Sequence, residues 1–115
     1  MYKLFKTLGS KSRLRILKML LIRKYCVCEI SGILNLSDST ISEHLKKLKK
    51  MNLIREQKQS YWNYYYINPE IKRDKNMKKL LNIIKSLNNS IYQKDRKKIK
   101  NHVIKCNNIN KGGNK

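Results

Sequence analysis

Tyr25-Cys26-Val27-Cys28-Glu29-Ile30 sets two thiols two residues apart at the expected start of a helix. Thiolate is the soft donor that captures soft metal ions and metalloids. A helix N-terminus and the neighbouring Arg23 and Lys24 both favour the thiolate form. Residues two apart on a regular helix point about 200° apart, so one ion held by both sulfurs must distort the first turn. The plainer reading is that one cysteine packs in the core and the other is incidental. Cys106 brings the thiols to an odd number, which does not make a disulfide framework. Metal or redox chemistry is what remains.

The elements around this pair follow from spacing. Leu4, Phe5 and Leu8 form a short apolar stripe ended by Gly9, and Ser10 or Ser12 caps a second helix carrying Leu14, Leu17, Leu20 and Leu21. A third helix runs from Cys26 to Leu34, and Asn35-Leu36-Ser37 supplies a turn and a cap. Ile41, Leu45 and Leu48 mark a fourth helix from Ser37 to about Met51. Leu53–Lys58 and Trp62–Ile67, with Gln59-Ser60-Tyr61 as a three-residue tip, read as a hairpin. After Asn68-Pro69 a final helix repeats Met77, Leu80, Ile84, Leu87 and Ile91 at heptad-like spacing, a seam that needs a partner surface. The expected fold is therefore mainly α with a small β-hairpin, a winged helix-turn-helix of order α1-α2-α3-α4-β-β-α5. Residues 1–91 make its one domain, and 92–115 a flexible basic tail.

Charge and composition narrow the function. With 115 residues the chain is too short for a multidomain enzyme, and a core this small favours self-association. A net charge of +21 points to polyanions, although the joint richness in Lys, Asn and Ile fits AT-biased coding and lowers the weight of that clue. No apolar run approaches the length a membrane-spanning helix needs, and the N-terminus lacks a secretory leader, so the expected location is the cytoplasm. The order helix, short turn, helix with small polar residues first, then aromatic hairpin points to double-stranded DNA. The candidate contact residues are Ser37, Asp38, Ser39, Thr40, Ser42, Glu43, His44, Lys46 and Lys47 on the fourth helix, with Ser60 and Tyr61 at the wing tip. Lys neutralises phosphate, and the hydroxyls serve bases or phosphates. Asp38 fits a helix N-terminus. Glu43 accepts from a cytosine amino group or touches no base, and His44 lies at the edge of the core face, where packing is at least as natural as base reading.

Several blocks together resemble the ArsR/SmtB family of winged-helix metalloregulatory repressors over about residues 4–91. Leu8-Gly9-Ser10-Lys11-Ser12-Arg13-Leu14-Arg15-Ile16-Leu17 is similar to the family's first helix junction, Tyr25–Ile30 to its metal-binding box, Leu36–Leu45 to its recognition helix and Trp62–Tyr66 to its second wing strand. The resemblance implies a homodimer held by the first and last helices, through Leu4, Phe5, Leu8, Met77, Leu80, Ile84, Leu87 and Ile91, on an operator with an inverted repeat. It implies no resident cofactor and no enzymatic activity. Cysteine at both box positions is similar to arsenite- and antimonite-responsive members, so arsenite or antimonite is the expected inducer at Cys26 and Cys28. Ser31 stands where some arsenic sensors carry a further cysteine, which leaves Cys106 or an external thiol as third ligand. The zinc-type ligands of the last helix are missing, and Asp38 and Glu43 replace the Gln and the His or Arg often found in relatives.

The expected mechanism is a population shift: metalloid capture distorts the third helix, and the short turn passes that distortion to the fourth. The alternatives are a thiol-based redox or persulfide-responsive winged-helix regulator, a sensor of another soft metal ion, or a basic architectural protein. A thiol oxidoreductase would show Cys-x-x-Cys in a βαβ setting, which this chain lacks.

Overall fold

A computed structural model describes residues 2–101. The chain runs α1 (Tyr2–Leu8), α2 (Lys11–Ile22), β1 (Tyr25–Cys26), α3 (Val27–Leu34), α4 (Asp38–Lys50), β2 (Ile54–Gln59), β3 (Trp62–Ile67), a 3₁₀ turn (Pro69–Arg73), α5 (Lys75–Ser86) and α6 (Ser90–Asn101). Cys106 and His102 lie outside the described residues.

Caps and stops set the helix ends. Ser10 rather than Ser12 caps α2, its Oγ accepting from the Arg13 N–H at 3.3 Å. The α3 helix stops at Asn35, which takes the left-handed conformation at φ 58° so that the Leu36 N–H can bond the Ser31 carbonyl at 3.2 Å. Asn52 at φ 60° ends α4 the same way, with the Leu53 N–H on the Leu48 carbonyl at 3.2 Å. Leu53 is spent on that stop, so β2 begins one residue later than its β-formers predict.

The sheet has three strands in the order β1-β3-β2, all antiparallel. Gln59 pairs with Trp62, so the hairpin tip is two residues, Ser60 and Tyr61, rather than three. Ser60 turns it at φ 59°. The short β1 was not expected: Tyr25 pairs with Tyr65 and Cys26 with Tyr64. One continuous core joins Ile16, Leu17 and Leu20 of α2, Ile30 and Ile33 of α3, Ile41, Leu45 and Leu48 of α4, and Leu81 and Ile84 of α5.

The C-terminal part corrects the expected order. The final helix does not run through Ile91 but breaks at Leu87, whose backbone is extended. Lys18 stabilises that break, its Nζ donating to the carbonyls of Ile84 (3.1 Å), Lys85 (2.9 Å) and Leu87 (2.6 Å). Asn89 then accepts from the Tyr92 N–H at 3.1 Å and starts a new helix. Residues 92–101, expected as the beginning of a flexible tail, belong to α6. It docks through Tyr92, Asp95 and Ile99, with Arg15 Nε and Nη2 each 2.8 Å from an Asp95 oxygen.

Candidate functional site

Helix α4 buries Ile41, Leu45 and Leu48 and turns Ser39, Thr40, Ser42, Glu43, Lys46 and Lys47 to solvent. Its amphipathic spacing dictates this division. At its start the Ser37 Oγ accepts from the Thr40 N–H at 3.1 Å and lies 2.8 Å from Thr40 Oγ1 and 3.2 Å from Ser39 Oγ. A shelf of small hydroxyls therefore crowns the helix N-terminus, where backbone N–H groups and the helix dipole attract anions. Asp38 is tied back to α3: the Ser31 hydroxyl sits 2.6 Å from Asp38 Oδ1 and 3.1 Å from the Cys28 carbonyl oxygen.

His44 is half-buried and faces inward. Its Nδ1 lies 3.3 Å from Arg13 Nη1, while Arg13 Nε donates to the Thr7 carbonyl at 2.6 Å. Burial first, then Arg13 and Lys47, lower its pKa and favour the neutral ring. His44 thus links α4 to α2 and the end of α1. At the wing, Ser60 and Tyr61 are exposed, Tyr61 at 88%. The wing base is fastened to α4 by Lys49 Nζ on Glu56 Oε1 at 2.6 Å, a bond that holds the Glu56 carboxyl below its usual range.

The thiol box is built differently from the regular helix start that its spacing predicts. Cys26 is the N-cap, with extended backbone (φ −89°, ψ 169°) and its own place in the sheet, and Cys28 is the second helical residue. Glu29 completes a capping box, its Oε1 accepting from the Cys26 N–H at 3.0 Å. Cys26 is 1% exposed, and burial pushes its thiol up to about 11. This corrects the expected thiolate at Cys26: desolvation outweighs the backbone N–H groups of Glu29 and Cys28 at the helix start, while the Arg23 guanidinium lies 4.3 Å over the Tyr25 ring and 3.8 Å from Glu29 Oε2. Cys28 is half-buried and has a partner of its own.

Glu29 and Tyr25 went unnoticed as parts of the site. Both are buried, and among the described residues Glu29 Oε2 and the Tyr25 hydroxyl find no hydrogen-bond partner. The Cys-x-x-Glu spacing was the available signal for the cap. Among the described residues no group of three or more His, Cys, Asp and Glu side chains is placed to hold a metal ion. Cys28 is disulfide-bonded, so the free soft donor of the box is the Cys26 sulfur, which suits a soft metalloid and not a hard oxygen-seeking cation. Cys106, one of the two candidates for a third ligand beside an external thiol, lies outside the described residues.

The residues expected at a dimer interface separate into two sets. Leu4, Leu8 and Ile84 are buried in the protomer's own core, while Met77, Leu80 and Ile91 are half-buried. Phe5 and Leu87 are exposed, together with Tyr2 and Ile83, which the seam had not included.

A family model described as bacterial regulatory protein, arsR family, matches residues 10–56, which run from the α2 cap into β2. An uncharacterised HTH-type transcriptional regulator of Methanocaldococcus jannaschii is 42% identical over 66 residues, 56% of this chain and 74% of that one. The chain belongs to the arsR family. Within this family an arsenical resistance operon repressor of Bacillus subtilis is 40% identical over 67 residues, 57% of this chain and 64% of that protein's length. The fold is the winged helix-turn-helix. It is similar, at TM-score 0.61 and 23% identity, to the homodimeric winged helix-turn-helix DNA-binding domain of a possible ArsR-family regulator from Mycobacterium bovis, covering 72% of each chain.

Proposed function

We propose that this arsR-family chain is a homodimeric DNA-binding repressor that leaves an inverted-repeat operator when arsenite or antimonite binds Cys26 and Cys28. Helix α4 enters the major groove with Ser39 and Ser42 toward the bases and Lys46 on phosphate, and the Ser60–Tyr61 tip follows the backbone beside it. The exposed apolar side chains Tyr2, Phe5, Ile83 and Leu87 supply the surface that a second copy covers.

The observation that carries this reading is the direct path from box to reading helix. The Cys28 carbonyl meets the Ser31 hydroxyl, which meets Asp38, the first residue of α4. Only Asn35, Leu36 and Ser37 separate α3 from α4. A ligand that reaches the buried Cys26 sulfur must displace the α3 cap and the β1 pairing, so the two ends of α3 move together. A coupling of about 3 kcal/mol between ligand and DNA would weaken operator binding roughly 150-fold.

The chemistry favours arsenous or antimonous acid over divalent ions. Capture by both sulfurs first requires a cellular dithiol or thiol reductant to cleave the Cys28 disulfide; exchange of As(OH)₃ with the two thiols then forms two As–S bonds and releases two waters, the thiol protons leaving on the displaced hydroxyls. A divalent ion must instead expel both protons, one of them from a thiol that burial keeps protonated, in a chain of net charge +21. The name of the Bacillus subtilis relative supports the same inducer. The test is an electrophoretic mobility shift on the DNA upstream of the gene, with arsenite, antimonite, cadmium and zinc titrated in. Release at the lowest concentrations of arsenite and antimonite is expected; no specific shift, or release by zinc or cadmium alone, would overturn the reading.

A further inference from the structure

Helix α6 is cationic outside and neutralised inside. Lys94, Arg96, Lys97 and Lys100 are exposed, whereas its one acid, Asp95, is buried and held by Arg15. The helix is also pinned to the end of α3. Lys98 Nζ donates to the Ile33 carbonyl at 3.1 Å, and Arg15 Nη2 lies 3.5 Å from the Leu34 carbonyl. Those two carbonyls belong to the last turn of α3, immediately before the three residues that lead into α4. The C-terminal half of α6 therefore sits against the last turn of α3, three residues ahead of α4, held there by the Arg15–Asp95 ion pair.

Exposed lysines on a solvated face ordinarily contribute little, and their number alone carries no weight here. Position separates these from the rest: α6 is held against the end of α3, from which only three residues lead to the helix that approaches DNA. Phosphate contacts need only fixed positive charge at the correct distance and carry no sequence information. We propose that α6 is a second phosphate-contact element, in which Lys97 and Lys100 neutralise the DNA backbone flanking the groove that α4 enters. This rests on the reading of the chain as DNA-binding.

The experiment measures the salt dependence of binding to the operator duplex and to an unrelated duplex, using the full chain. Lys97→Gln/Lys100→Gln removes two exposed charges, and circular dichroism checks that helix content is kept. Each lost phosphate contact lowers the slope of log K against log salt by about 0.9. The ratio of affinities at 50 and 200 mM salt should therefore shrink about 12-fold on both duplexes. The control pair Lys78→Gln/Lys79→Gln on α5 removes the same charge away from this site and should leave the slope at the parent value. An unchanged slope in the α6 variant, or an equal loss in the α5 pair, would overturn the proposal. Lys46→Ala separates the two claims. If it too leaves the slope unchanged, or the parent binds neither duplex, the DNA-binding reading fails and takes this inference with it.

Discussion

The N-termini of α3 and α4 are both capped by a side chain, yet they offer opposite surfaces. At α3 the cap is a buried cysteine whose N–H is satisfied by a buried glutamate and whose backbone is paired into the sheet. At α4 the cap is an exposed serine amid exposed hydroxyls. The first terminus is closed, so anything that binds its sulfur must rearrange it. The second is open and preformed, so it can meet a ligand without rearrangement.

Breaking the closed end should have the largest effect on stability. Glu29→Ala removes the capping bond and leaves the buried Cys26 N–H unsatisfied, with an expected cost of about 2–3 kcal/mol. Glu29→Gln keeps an acceptor at the same place and should cost less. Urea unfolding measures both, and a parent-like midpoint for Glu29→Ala would show that the box is not what holds α3. At the open end the pattern reverses. Ser42→Ala touches no core residue and should leave the urea midpoint near that of the parent, yet weaken operator binding by about 1–3 kcal/mol if its hydroxyl meets a base edge. A titration of labelled duplex separates the two outcomes.

The smallest effect concerns the link between α4 and α2. In the folded chain burial, Arg13 and Lys47 hold His44 below its ordinary pKa, so below about pH 6.5 the unfolded chain binds a proton that the folded chain resists. Stability should therefore fall as pH drops from about 6.5 through the lower folded value. His44→Gln should lessen that fall, as followed by thermal unfolding at pH 7.5 and 5.5. An identical pH dependence in parent and variant would remove His44 from the account.

The contrast between the two termini was only half legible in the amino-acid order. The α4 face could be read from Ile41, Leu45 and Leu48, because amphipathic spacing and a serine cap are local signals. The α3 box could be located but not described. Its burial depends on β1, whose two residues are fixed by Tyr64 and Tyr65 some forty positions away, and no local pattern reports such a pairing. The resulting desolvation reversed the expected thiolate. The C-terminal seam misled for another reason: Leu87 and Ile91 continue the heptad spacing formally, while Asn88-Asn89-Ser90 breaks the helix and Asp95 turns α6 back onto Arg15. Leu4, Leu8 and Ile84 kept the apolar character expected of them but spend it inside their own protomer, since the same spacing serves a core as well as an interface.

The central claim is that Cys26 and Cys28 report to α4. The most direct measurement is the arsenite concentration that releases operator DNA in a mobility shift, compared among the parent, Cys26→Ser and Cys28→Ser. Both variants should bind operator with near-parental affinity and remain bound at arsenite concentrations that release the parent, because a hydroxyl is a poor ligand for a soft metalloid. Release of both variants at the parental arsenite concentration would contradict the account.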